Sequence, residues 1–278
     1  MRIPLFFRRR RLAFVAALLG SAALAAPAAA APPRNPAGTT TQAVTLQGYD
    51  ISFPQCGGTY PSHPAFGIVG VNDGRAFTAN PCVGSEYAWA LGSSSPTQPH
   101  VSFYLNTGNP GPLTATGGSP HWPTAGTTTP LPCDGTWSAN CAYDYGWNAA
   151  QDSLKNATAV SGAAARSAPW WLDVETANSW SSDTTTNVAD LRGEVDSLRN
   201  AGIARIGIYS TGYMWGQITG ARSSGSTINA PFHALPNWVP GASNAGAAKK
   251  YCADTITGGP VLLTQYPSGG YDADYVCS

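Results

Sequence analysis

Charge is scarce in this 278-residue chain, where Asp, Glu, Lys and Arg together make up only 11% of residues. Hydrophobic residues account for 43% and aromatic ones for 10%. A chain this poor in charge can bury a large core, which argues against intrinsic disorder. Histidine is also rare, and His63, His100, His121 and His233 stand far apart. Neither C-x-x-C nor H-E-x-x-H spacing occurs, so no metal site is expected, and no other cofactor. There is no G-x-x-x-x-G-K-[ST] phosphate loop and no dinucleotide G-x-G-x-x-G after the first strand. A G-x-S-x-G elbow is missing too, since Ile208-Tyr209-Ser210-Thr211-Gly212 lacks the first glycine.

Basic residues are fewer still once the N-terminus is set aside. Arg2 and the cluster Arg8–Arg11 hold five of the fifteen Lys and Arg, with no acid nearby. An apolar run from Leu12 to Ala26 and small residues up to Ala31 follow. That order is the pattern of a secretory signal peptide over 1–31, and the run is too short for a spanning helix. Cleavage after Ala31 leaves ten basic against fifteen acidic residues, a net charge of about −5. Such a product is a poor partner for nucleic acid or an anionic membrane. The Pro- and Thr-rich stretch 32–45 reads as a linker, and 46–278 as one domain, secreted, extracellular or cell-wall associated, and monomeric.

What remains is rich in turn formers and cysteine. Gly (31) and Pro (23) predict many irregular loops. Cys56, Cys82, Cys133, Cys141, Cys252 and Cys277 form an even set, which in an oxidising compartment reads as a disulfide framework. Sequence neighbours suggest the pairs Cys56–Cys82, Cys133–Cys141 and Cys252–Cys277, leaving no thiol for catalysis. Nine tryptophans could serve as sugar platforms, but most are expected in the core.

Short, nearly continuous apolar runs at Gly48–Ser52, Phe66–Asn72, Val101–Leu105, Trp170–Val174, Arg205–Ser210, Phe232–Val239 and Val261–Tyr266 predict strands buried on both faces. Helical spacing covers Tyr145–Val160 and Val188–Asn200, with shorter helices around Glu86–Leu91 and Tyr213–Ile218. The stretch Asn109–Pro132 lacks periodicity and reads as a long loop pinned by Cys133–Cys141. Strands alternating with helices predict an α/β fold, a closed or nearly closed modified TIM-type (β/α) barrel with disulfides.

The strand ends are unusually polar. Asp50 and Ser52 close the first, Asn72 and Asp73 the second, Asn106 the third, Asp173 and Glu175 the fourth, Tyr209 and Ser210 the fifth, and Gln265 and Tyr266 the last. Ligands of α/β barrels bind at the carboxyl ends of strands, so these residues are expected to share a cleft. Asp173 and Glu175, two apart on a strand, project from one face with Cβ atoms roughly 6–7 Å apart. Their mutual repulsion, and desolvation by Trp170 and Trp171, favour one protonated acid beside one ionised partner. That pairing suits glycosidic bond cleavage.

Three strings carry a resemblance. Asp50, Ser52 and Gln55 in Tyr49-Asp50-Ile51-Ser52-Phe53-Pro54-Gln55, Asp173 and Glu175 in Trp170–Glu175, and Gln265, Tyr266 and Asp274 in the last part of the chain resemble the D-x-S-x-x-Q, D-x-E and W-Q-Y…D motifs of glycoside hydrolase family 25, the lysozyme-type muramidases. A still closer likeness is to secreted actinobacterial proteins described as glycoside-hydrolase-like. The resemblance implies a TIM-type barrel that cleaves peptidoglycan or another amino-sugar polymer. Glu175 would be the general acid, Asp173 its orienting or stabilising neighbour, and Asp50 a third catalytic carboxylate. Asp274, Gln265, Tyr209, Asn106, Asp73 and Trp171 would bind substrate. The chain departs from the family pattern at Thr264, which replaces Trp in W-Q-Y, at Asn72-Asp73-Gly74, and in the Cys133–Cys141 insertion. A non-catalytic cell-wall- or carbohydrate-binding domain on the same barrel is the alternative.

Overall fold

The computed structural model describes residues 46–277, and the expected signal peptide (1–31) and linker (32–45) lie outside the described residues. Eight strands close into one barrel in chain order. They are β1 (Gln47–Ile51), β2 (Gly67–Gly70), β3 (Val101–Asn106), β4 (Trp170–Asp173), β5 (Ile206–Tyr209), β6 (Asn237–Val239), β7 (Val261–Ser268) and β8 (Tyr271–Val276). Strands β1 to β7 run parallel, and β8 closes the ring antiparallel to both β7 and β1. The helices are α1 (Val83–Leu91), α2 (Ala139–Ser161), α3 (Ala164–Ser167), α4 (Thr184–Asn200), α5 (Gly212–Thr219) and α6 (Ala245–Tyr251). This is the expected modified TIM-type barrel. No helix among the described residues is long and apolar enough to cross a membrane.

Apart from the short helices α3 and α6, which were not expected, four elements differ from the expectation, each for a local reason. Strand β8 is added by the turn Gly269-Gly270, whose φ angles of 63° and 87° suit a two-residue hairpin between β7 and β8. Strand β6 is only three residues long. Ahead of it Ala234 takes a left-handed φ of 74°, which breaks the extended chain, and Phe232 packs edge-on against Trp215 at 5.2 Å. Helices α2 and α4 start earlier than their apolar spacing suggests. Ser138 Oγ caps α2 by accepting from the Cys141 N–H, and Asp183 Oδ1 caps α4 by accepting from the Thr185 N–H at 3.0 Å.

The core has two layers. Alternate strand residues such as Val69, Phe103, Leu105, Trp170, Leu172 and Ile208 face the helices, packing on Leu191, Val195, Leu198 and Trp215. The other set (Phe66, Ile68, Trp171, Tyr209, Trp238 and Leu263) fills the barrel itself. Five of the nine tryptophans are buried, so most of their surface serves packing. The six cysteines pair as Cys56–Cys82, Cys133–Cys141 and Cys252–Cys277. The middle bridge ties the long β3–α2 connection to the first turn of α2, beneath a satellite core of Trp122, Ala142 and Tyr145.

Rings inside the barrel fit only because glycines face them. A Cβ on Gly207 would lie 2.3 Å from the Trp171 ring. Gly207→Ala should therefore destabilise by about 1–3 kcal/mol through overpacking. Thermal unfolding should show Tm falling by about 2–4 °C per kcal/mol, and an unchanged Tm would mean the ring has room to move.

Candidate active site

Strand alternation carries Asp50, Tyr104, Asn106, Asp173, Tyr209, Gln265 and Asp272 to the inner face at the C-terminal mouth of the barrel. With Glu175 just beyond β4, they line a cleft of about 320 Å³. Four carboxyl groups thus meet with no Lys or Arg among the lining residues. Neighbouring strands fix their positions. Tyr209 Oη donates to Gln265 Oε1 at 2.9 Å, and Gln265 Nε2 donates to Asp50 Oδ2 at 2.9 Å. Asn106 Nδ2 donates to Asp173 Oδ2. Asn72 Oδ1 in turn accepts from the Asn106 N–H at 3.0 Å, holding that residue from the adjacent strand. The strand end at Glu175 is pinned through its backbone carbonyl, which accepts from Trp180 Nε1 at 2.8 Å.

Crowding of acids sets the electrostatics. Burial pushes the Asp50 carboxyl up to about 8, with the Asp272 charge adding to the rise and the Gln265 hydrogen bond opposing it. Burial also holds Asp173 far above the usual carboxylate range, followed by the charges of Glu175 and Asp50. Glu175 is only half-buried and is raised by burial first and then by Asp272. Asp272 is raised by burial. Like charges this close cannot all ionise together, so the cluster titrates as a group above the ordinary carboxylate range.

Several expected binding residues sit elsewhere. Asp274 is completely buried, one pleat below Asp272. Asp272 pairs with Asp50 across β1–β8, whereas Asp274 pairs with Gly48 deeper in the barrel. Asp272 is therefore the acid of β8 that reaches the cleft, and the Gly269-Gly270 hairpin was the signal that could have revealed it. Trp171 shares a face with Asp173 and Glu175 but lies one pleat too deep, in the barrel core against Trp238 at 5.8 Å. Asp73 is exposed on the turn after β2, where its N–H donates to Thr78 Oγ1 at 2.9 Å. Its neighbour Asn72 takes the inward direction instead. The remaining expected residues, Asn106, Tyr209 and Gln265, line the cleft, and sequence reasoning missed Tyr104, Trp238 and Asp272. Ser52 and Gln55 line it too, and Gln55 Oε1 accepts from the Ser52 N–H at 2.9 Å, closing the turn after β1. Thr264 points the other way, its hydroxyl donating to the Ala248 carbonyl of α6 at 3.0 Å. Its departure from W-Q-Y therefore leaves the cleft unaltered.

Among the described residues, the one group of three potential metal ligands close together is Cys133, Asp134 and Cys141. Its two sulfurs are joined in a disulfide.

Residues 144–232 match the family described as lysozyme-like protein 1. The chain is similar in structure to a family GH25 lysozyme from Aspergillus fumigatus (TM-score 0.51, 18% identity, 84% of this chain and 94% of that one). The fold is that of the GH25 lysozymes. A muramidase from Trichobolus zukalii aligns equally well, with TM-score 0.51, 18% identity and the same coverage. The modular Cpl-1 endolysin, solved with a peptidoglycan analogue, aligns with TM-score 0.51 and 16% identity over 83% of this chain and 54% of that one. No curated protein matches by sequence. At these identities the likeness defines the GH25 fold and not the chemistry.

The acids also predict how stability varies with pH. Burial raises Asp190 and Glu194 on α4 and Asp274 in the barrel far above their ordinary values, as it does Asp173, and Asp50 to about 8. Above about pH 4 the unfolded chain releases these protons while the folded chain keeps them, so stability falls as pH rises. Tm should be higher at about pH 5 than at about pH 8. A Tm that climbed across that interval would show these acids to be ionised in the fold.

Proposed function

We propose that the protein is a secreted glycoside hydrolase that cleaves the glycan strands of peptidoglycan. The carrying observation is the cation-free cleft at the mouth of a GH25-type barrel, where Asp50, Asp173, Glu175 and Asp272 converge. Glu175, half-buried and raised by burial and by Asp272, suits the general acid that protonates the leaving oxygen. Asp173 has one oxygen held by Asn106 and the other without a partner among the described residues. That oxygen is itself buried, so Asp173 backs the cleft as the orienting neighbour of Glu175. Asp272 supplies negative charge that stabilises an oxocarbenium-like transition state, while Asp50, raised to about 8 and oriented by Gln265, keeps its proton near neutral pH and serves as a hydrogen-bonding group of the cleft. Export is supported by the N-terminal sequence and by the three disulfides. Two departures favour a binding domain without turnover, Thr264 and the altered end of the second strand; Thr264 faces α6, and Asp73 lies exposed on a turn outside the cleft lining.

Digestion of purified peptidoglycan by the mature protein should release muropeptides with new reducing ends. Glu175→Gln should lower turnover by about two to four orders of magnitude while leaving substrate binding intact. Near-normal turnover in that variant would remove Glu175 from the acid role, and tight binding by the wild type without product would leave the binding domain standing.

The charge neighbour of the acid makes a second prediction. Asp272→Asn removes the charge that, after burial, most raises Glu175, so the Glu175 pKa should fall. Activity needs Glu175 protonated, so the alkaline limb of the kcat/KM profile should move to lower pH. Asp50→Asn should move that limb less. An alkaline limb unmoved by Asp272→Asn would show that another group sets it.

A further inference from the structure

Beside the cleft lies a second, larger hollow of about 450 Å³. Its walls are the turn after β2 (Gly74–Thr78), two segments of the β3–α2 connection (Thr107–Pro110 and Gly118–His121) and the turn after β4 (Ala177–Ser179). It therefore opens on the same face as the cleft and follows it directly along the chain. Asn106 lines the cleft and Thr107 the groove, and Thr107 Oγ1 donates to the Asp173 carbonyl at 2.7 Å.

The groove differs from the cleft in charge and in lining. Arg75 is the one Lys or Arg among the residues lining either hollow. It is exposed and forms no ion pair with the described residues. Next to it the Phe77 and His121 rings stack at 4.4 Å with planes 8° apart, and Phe77 leans on Tyr145 at 5.1 Å. Tyr145 contacts Trp122 at 5.2 Å, and the Cys133–Cys141 bridge lies in the same satellite core. The wall is thus built on packed rings and a covalent tie. Phe77 itself holds a left-handed backbone at φ 59°, a conformation that a bulky side chain adopts only when its surroundings impose it.

We propose that this groove binds the carboxylate-bearing peptide substituent of a peptidoglycan strand whose sugars occupy the cleft, with Arg75 pairing a peptide carboxylate and the Phe77–His121 stack supporting its apolar side chains. The inference rests on the hydrolase reading for its substrate. The physical case is the division of charge. The sugar backbone is neutral and the peptide carries the anionic groups. A cleft with four carboxyls repels those groups, while the neighbouring groove offers Arg75, the one Lys or Arg lining either hollow. A preformed wall also limits the ordering cost of binding a flexible peptide.

The test compares kcat/KM of the mature protein on uncrosslinked peptidoglycan strands and on the same strands stripped of peptides by an amidase. The wild type should favour peptide-bearing strands by about 5–20-fold, the range expected for one charge-assisted hydrogen-bonded contact at a partly exposed site. Arg75→Gln should erase most of that preference through KM, His121→Ala should reduce it, and amidating the peptide carboxylates should mimic Arg75→Gln. Equal rates on both strands, or a preference that survives Arg75→Gln, would overturn the groove assignment and leave the hydrolase standing. If neither strand is cleaved, the hydrolase reading falls, and calorimetric titration with a soluble N-acylmuramyl tetrapeptide decides the groove. Binding weakened by Arg75→Gln upholds it, and absence of binding, or binding indifferent to Arg75, overturns it.

Discussion

The molecule is organised around four carboxyl groups that share one cleft without a counter-cation. Closing a sheet into a barrel obliges alternate residues of every strand to point inward, so acids near the ends of β1, β4 and β8 must meet at the mouth. Like charges so close in a poorly solvated site cannot all ionise. The surroundings answer with neutral amides. Gln265 donates to Asp50 and Asn106 donates to Asp173, which hold each carboxyl in place while cancelling little of its charge. A lysine in either position would have offset part of the cluster's charge and lowered the pKa of Glu175, on which its proposed acid role depends.

Holding those groups in register is the task of the layer beneath them. Trp171, Tyr209 and Trp238 fill the barrel, with Tyr209 and Trp238 in edge contact at 4.4 Å. Tyr209 then passes its hydroxyl upward to Gln265, which is the donor to Asp50. Packing in the barrel core and orientation of a cleft carboxyl are therefore joined by two hydrogen bonds. A change in the aromatic layer would reach Asp50 without touching it.

Much of this was legible in the sequence because the strand period is two. Asp173 and Glu175 share a face by spacing alone, and runs buried on both sides marked a parallel barrel. Depth along the barrel was not legible. Spacing assigns Trp171 to the face of Asp173, and likewise Asp274 to that of Asp272, but it does not tell which pleat reaches the mouth. That is fixed by strand register, as in the pairing of Asp272 with Asp50. β8, Tyr271–Val276, has no continuous apolar run to mark it, and without it the acid with the largest charge effect on Glu175 stays hidden. Helix starts were misplaced where polar caps at Ser138 and Asp183 precede the apolar stripe.

A displaced carboxyl pKa does not by itself mark chemistry in this fold. Asp190 and Glu194, one turn apart on α4, are as fully buried as any acid of the barrel, and their oxygens have no hydrogen-bond partner among the described residues. Burial raises both, and Glu194 also feels Asp190 and then Asp173. Helix α4 packs there against α2 so closely that a Cβ on Gly146 would lie 2.1 Å from the Asp190 carbonyl oxygen. No substrate can enter between them. What separates the two sets of acids is access. Glu175 and Asp272 are partly exposed at an open mouth, whereas Asp190 and Glu194 are sealed and held neutral. Burial favours their protonated form, which spares the region behind Asp173 a further negative charge, and only the open cluster is accessible from outside the fold.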